Sequence, residues 1–333
     1  QKKNYRPKVG KKKWQALAFS FGIFFFILKA SRLFQNIEGF QLHMANEMYL
    51  AKDFEPKAKF KKAVETGFQS VPKNIDFGNP STATKLINDW VKVQTNNHIK
   101  NIVNKNDFNK NTALVLVNAI YFKSSWELKF DKQYTKPRQF YVNGKIVKKV
   151  KTMRNYGVYR FGKLPDVKAK FLEMKYTSIN DVSMFIILPN EIDGIGELVK
   201  NLKKVSVQRL LGATKRNVNV YLPKFKIEST IDLRRPLTKM GLGEIYTDNA
   251  NFTGIVASPP LKISKILQKA FIEVNEKSTT ATAATEMKIT RLTSRQEDTH
   301  GPIDFNVDHP FVAVIATNRG LPLFSSIVMK PIY

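Results

Sequence analysis

From Ala113 to Phe122 the chain reads Ala-Leu-Val-Leu-Val-Asn-Ala-Ile-Tyr-Phe, rich in β-branched and aromatic residues and without polar alternation. That pattern predicts a strand covered on both faces. Val182 to Leu188, closed by Pro189-Asn190, and Phe311 to Thr317 predict further strands, and Val218 to Phe225 alternates through Val220, Leu222 and Lys224. Asn79 to Val103 instead has helical spacing: Leu86, Trp90, Val93 or Val91, and His98 or Ile99 recur, with Asn79 or Ser81 as the cap. The lysines of 57–62 and of 145–151 alternate with apolar residues, which predicts a surface helix and the solvent side of a strand. Together these elements predict an α+β fold with large mixed sheets and helices packed on them.

Composition adds a core and a charge. The 333 residues, 43% hydrophobic and 11% aromatic, fit one large domain or two fused ones, and no internal repeat divides them. The formal charge of +28 draws the chain toward polyanions. Heparin-like polyanions are therefore candidate partners, while the lack of an RNA-binding signature, zinc-finger spacing or phosphate loop argues against nucleic acid. With no cysteine, neither a disulfide framework nor a thiolate metal site is available. His43, His98, His300 and His309 stand in no metal-ligand or triad context, so no metal, cofactor or catalysis is expected.

Residues 1–13 hold seven Lys or Arg, and Trp14 to Leu28 follows without a charge. That order fits a secretory signal or an anchor, and equally a buried helix or sequence foreign to the fold. Residues 1–41 are accordingly set apart from a folded region over 42–333. Secretion is the expected destination, and the sequon Asn251-Phe252-Thr253 is compatible with it.

Ser278 to Thr285 holds no residue larger than Thr and no charge. Read alternately from Thr279, one face carries Thr279, Ala281, Ala283, Thr285, Met287 and Ile289, free of charge; the other carries Thr280, Thr282, Ala284, Glu286, Lys288 and Thr290. A loop needs no such alternation, whereas a segment that becomes a half-buried strand does.

At this point the chain resembles the serpins. Phe271-Ile272-Glu273-Val274-Asn275-Glu276 before the small-residue run looks like their reactive-loop hinge, and Leu114 to Lys123 with Trp126 is similar to the third strand of their main sheet. Phe305-Asn306-Val307-Asp308-His309-Pro310-Phe311, Leu321-Pro322-Leu323-Phe324, Asn251-Phe252-Thr253-Gly254-Ile255 and Ile263-Ser264-Lys265-Ile266 match further landmarks in order. The resemblance covers about 42–333; no counterpart of the family's first helices is legible before Leu42.

The resemblance implies a monomeric inhibitor of a trypsin- or chymotrypsin-like serine protease, with an exposed reactive loop at about 276–302. The protease cleaves the loop, and the hinge then inserts into the main sheet. The implied hinge is Glu276, Lys277, Ser278, Thr279, Thr280, Ala281, Thr282, Ala283, Ala284 and Thr285. The implied scissile bond is Leu292-Thr293, with Arg291 and Arg295 as rivals. Asn118, Trp126 and Gln268 fall at positions that control the sheet. Two residues depart from the family pattern here: Ser278 stands for a usual glycine and Gln268 for a usual histidine. A third departure is Ser326, which replaces a glycine in the last strand. The alternative is a binding protein on the same scaffold that does not inhibit, using its basic surface.

Overall fold

The computed structural model describes residues 40–68, 70–142, 144–177, 182–276 and 301–333. In chain order the main elements are β1 (Phe40–Ala51), α1 (Ala58–Phe68), β2 (Lys73–Ile75), α2 (Pro80–Gln94), β3 (Leu114–Ser124), β4 (Lys136–Val142), β5 (Lys145–Leu164), β6 (Ala169–Lys175) and β7 (Val182–Pro189). They continue with α3 (Ile195–Asn201), α4 (Val207–Leu211), β8 (Lys215–Pro223), β9 (Phe225–Asp232), α5 (Arg234–Leu237), β10 (Ile263–Val274), β11 (Ile303–Asn306), β12 (Phe311–Thr317) and β13 (Pro322–Val328). The α+β class is the one the sequence pattern predicts. The chain divides into two compact units, one holding Leu42–Phe122 and Glu228–Ile272, the other Lys123–Ile227 and Glu273–Tyr333.

In the first unit the sheet order is β2-β1-β3-β10-β9. Strand β3 has no polar alternation because both its faces are covered. Val115, Val117 and Ala119 pack with Ala83, Ile87 and Val91 of α2 and with Ile99, Ile102 and Phe108. Leu114, on the opposite face, packs with Leu237, Leu242, Tyr246 and Leu261. Each such aliphatic side chain contributes roughly 1.5–3 kcal/mol on burial.

Helix α2 begins where expected, with Asn79 Oδ1 accepting from Thr82 N at 3.2 Å and Pro80 in the first turn. It ends earlier than Val103. Thr95 Oγ1 donates to Val91 O at 2.7 Å, and Asn96 and Asn97 then take φ of 47° and 62°, turning the chain out of the helix. The buried stripe matches the expected one only in part: of the alternatives Val93 or Val91 it is Val91 that faces the core, in line with Ala83 and Ile87 at four-residue spacing, while Leu86 is 41% and Val93 69% exposed. His98 is not part of the helix and stacks on Tyr121 at 3.9 Å.

In the second unit the sheet order is β11-β8-β5-β6-β7-β12-β13, with β4 paired to β5. Every residue of β7 and β12 is buried, as their uninterrupted apolar runs predict. Leu198 of α3 and Leu210 of α4 cover Phe171, Phe185, Ile187, Val312 and Val314 on one side. The turn from β12 to β13 places Gly320 at φ 83°, where a side chain would be strained. The run Val218 to Phe225 is two strands rather than one: β8 stops at Pro223, and β9 starts at Phe225 in the other sheet. Proline closes the first because it has no N–H for a ladder.

Both lysine runs lie where their alternation predicts. Lys57, Lys59 and Lys62 are exposed at and near the start of α1, and Lys149 and Lys151 are exposed on β5.

Candidate hinge and receiving sheet

Strands β3 and β10 are direct parallel neighbours, in continuous register over eight residue pairs from Lys265 opposite Val115 to Ile272 opposite Phe122, after a shift that sets Ile263 opposite Leu114. Gln268 stands opposite Asn118 in that register. Asn118 Nδ2 donates to Asn46 Oδ1 at 2.5 Å, so its side chain links β3 to the next strand, β1. On the same stretch of β10, buried Lys269 has its ammonium fixed by Asn101 O at 2.5 Å and Glu228 Oε1 at 2.6 Å. Unpaired, that buried charge would be strongly disfavoured.

In the second unit, Trp126 and Glu276 belong to one cluster. The Trp126 indole is buried against Tyr176, centroids 4.6 Å apart, and its Nε1–H donates to Asn275 O at 3.0 Å. Thr177 Oγ1 donates to Trp126 O at 2.6 Å, so the clamp is itself held. The next residue, Glu276, is 6% exposed and accepts from Thr135 Oγ1 at 2.8 Å, while its other oxygen pairs with Lys224 Nζ at 2.8 Å.

Glu273 completes the cluster by accepting from Tyr333 Oη at 2.8 Å and Asn275 Nδ2 at 3.1 Å, with the Lys226 ammonium 3.8 Å away. Lys224 and Lys226 both lie over the Tyr333 ring, at 4.0 and 4.7 Å from its centroid. Burial alone would raise the Glu276 carboxyl, but hydrogen bonds from Lys224 and Thr135 outweigh it and hold the group below its ordinary value. For Glu273 burial is likewise outweighed by Tyr333, Lys123 and Lys226. Tyr333 is pushed up to about 12, by burial first and then by the Glu273 carboxylate.

Asn118 and Gln268 are thus brought together in one register, and Trp126 and Glu276 in one cluster. The hinge from Lys277 to Thr285, the bond Leu292-Thr293 and its rivals Arg291 and Arg295 lie outside the described residues. So do residues 1–39 and the positions of Ser278 and His300. Lys224, Thr135 and Tyr333 were not singled out as site residues from the sequence, and Glu273 only as part of the motif before the small-residue run. Lys224 is separated from Glu276 by a strand change, and the only local sign was a lysine at an alternating position beside a proline. His309 is buried, with Nδ1 at 2.7 Å from Asp308 Oδ1 and Nε2 at 3.0 Å from Pro189 O, which ties the start of β12 to the end of β7. Among the described residues no group of His, Cys, Asp and Glu is arranged to hold a metal ion.

A mixed sheet with two parallel central strands, one of which leads directly into a small-residue segment, is the sheet-rich α+β scaffold that the sequence pattern predicts. The chain belongs to the serpin family: the profile described as Serpin (serine protease inhibitor) matches residues 27–331. Antitrypsin of Bombyx mori is 36% identical over 304 residues, covering 90% of this chain and 76% of that one. The crystal structure of Serpin48 from the insect Tenebrio molitor superposes with a TM-score of 0.79 at 33% identity, over 91% of this chain and 79% of the other. Native protease nexin-1 with heparin superposes with a TM-score of 0.75 at 31% identity, over 87% and 77%. The family's description is of serine protease inhibitors rather than of enzymes.

Proposed function

We propose that this chain inhibits serine proteases as a suicide substrate: the protease cleaves the loop at Leu292-Thr293, and the hinge from Glu276 to Thr285 inserts between β3 and β10. The observation that carries this reading is the direct parallel pairing of those two strands, with the hinge beginning two residues past the end of β10. A segment that follows β10 and folds back beside it runs antiparallel to β10, and therefore to β3 as well. It can then satisfy the backbone groups of both. About ten new net hydrogen bonds at roughly 0.5–1.5 kcal/mol each supply on the order of 10 kcal/mol, enough to displace a bound protease from its resting geometry. The charge-free face of Thr279, Ala281, Ala283, Thr285, Met287 and Ile289 suits the buried side of that strand.

Leu292 suits a chymotrypsin-like pocket and either arginine a trypsin-like one. The basic start, the apolar run to Leu28 and the exposed sequon at Asn251 support a secretory route. A second reading, a polyanion-binding protein on this scaffold, is favoured by the charge of +28 and by the likeness to a relative crystallised with heparin.

The test is incubation with trypsin, chymotrypsin and elastase, followed by denaturing electrophoresis. A band at the summed mass that survives denaturation is the expected result. Clean cleavage without such a band for all three enzymes would remove the inhibitory reading and leave the binding one.

A further inference from the structure

We infer that Asn251 carries an N-linked glycan. The inference rests on the secretory route proposed above, for which the basic start and the apolar run to Leu28 argue independently of any sequon. Two stretches of the chain have the outline Asn-X-Ser/Thr. Asn79-Pro80-Ser81 is excluded because its central proline bars transfer, and its Asn79 Oδ1 is in use as the cap of α2. Asn251-Phe252-Thr253 remains.

The local fold anchors this triplet at its centre and opens it at its ends. Phe252 packs on the cluster that holds Leu50, Leu114, Val256 and Ile263, and its carbonyl accepts from Ile255 N at 2.8 Å and Val256 N at 3.2 Å. Asn251 and Thr253, on either side of it, are exposed. Asn251 Oδ1 accepts from Thr253 N at 3.2 Å and from Thr253 Oγ1 at 2.8 Å. Both bonds use the amide oxygen, and among the described residues Nδ2 makes no hydrogen bond. Chain neighbours aside, no heavy atom lies within 4 Å of where a side chain at Gly254 would begin, so the space beside the turn is open.

Transfer needs only that nitrogen. Nδ2 bonds to the anomeric carbon of a lipid-linked oligosaccharide, the lipid diphosphate leaves, and the amide gives up one proton. Oδ1 is untouched and one N–H stays on the nitrogen, so the turn to Thr253 persists after modification. Transfer acts on the nascent chain, which makes the folded geometry a condition of tolerance, and a bulky, solvated sugar at this exposed position displaces no core contact. The loop packs at the end of β10 that begins with Ile263, away from the end at Ile272 that leads toward the hinge, so the glycan leaves the proposed insertion unhindered.

The full chain translated in vitro with microsomal vesicles provides the test. The expected product is protected from added protease and migrates more slowly by a single step that an endoglycosidase removes. The step should vanish in Asn251→Gln and in Thr253→Val, and return in Thr253→Ser, which keeps the hydroxyl. A protected chain without an endoglycosidase-sensitive step overturns the glycan alone, whereas a chain left open to the protease overturns the secretory route with it. A step that persists in Asn251→Gln overturns the assignment to this residue.

Discussion

Lys224 Nζ and Glu276 Oε2 are 2.8 Å apart with only 12% and 5% of their side chains exposed, so Glu276, the proposed start of the hinge, is anchored by an ion pair largely shut off from water. Removing one partner of such a pair leaves the other charge buried, which is far more damaging than the net worth of the pair. Glu276→Gln keeps the Thr135 hydrogen bond but strands the Lys224 ammonium, whose remaining partner is the face of Tyr333. The expected loss is about 2–3 kcal/mol, read as a fall of several degrees in the thermal midpoint. Lys224→Met, which removes the other charge, should lose less than Lys224→Glu, which puts two carboxylates together. Equal midpoints for wild type and Glu276→Gln would mean that the pair does not anchor the hinge.

The same contact sets a pH dependence. The Glu276 carboxyl is held below its ordinary value in the folded chain, so its contribution is complete above the unfolded value of about 4.3 and is lost as pH falls through the lower folded value. Glu273 acts in the same direction. The stability gap between wild type and Glu276→Gln should therefore be constant from pH 7 to 5 and narrow below pH 4.5. Midpoints measured across that range for both proteins decide it; a gap that widens on acidification would reverse the sign assigned here.

Asn118 is the only side chain of β3 for which an amide-to-amide link to β1 was found among the described residues. Asn118→Ala should cost about 1 kcal/mol for the lost hydrogen bond, and Asn46→Ala about the same. The double variant should cost little more than either single one, because the two share one interaction. Additive losses in chemical unfolding would show that the two side chains act separately.

How much of this could be read from the chain depends on whether the signal is local. Strands β7 and β12 were legible because burial on both faces writes an uninterrupted apolar run. Helix α2 was legible in its start and only partly in its face, since apolar residues occupy two stripes and periodicity leaves Val91 and Val93 as alternatives and cannot tell Leu86 from Ile87. The break at Pro223 was lost because alternation continues across it through Lys224 and Phe225. The small-residue segment stands out through its own period of two and the family motifs around it, but from Lys277 onward it lies outside the described residues. Its anchors at Lys224, Thr135 and Tyr333 were not, because each reaches Glu276 or Glu273 from a distant part of the chain, and no spacing rule marks such pairs.

The alternation within the hinge gives the sharpest test of insertion. If the segment becomes a strand, Ala283 lies on the charge-free face and Thr282 on the opposite one, which already carries Glu286 and Lys288. A carboxylate at 283 would have to be buried without a partner, at a cost of several kcal/mol, whereas one at 282 would remain in water. Ala283→Glu should therefore still be cut by the target protease at the same bond, but slow insertion enough for the acyl-enzyme to hydrolyse first, turning the chain into a substrate. Thr282→Glu should retain the denaturation-resistant complex. The ratio of complex to cleaved product on a denaturing gel distinguishes them. Equal ratios for the two variants would mean that the two faces are not distinguished, and that cleavage of the loop is not followed by entry into the sheet.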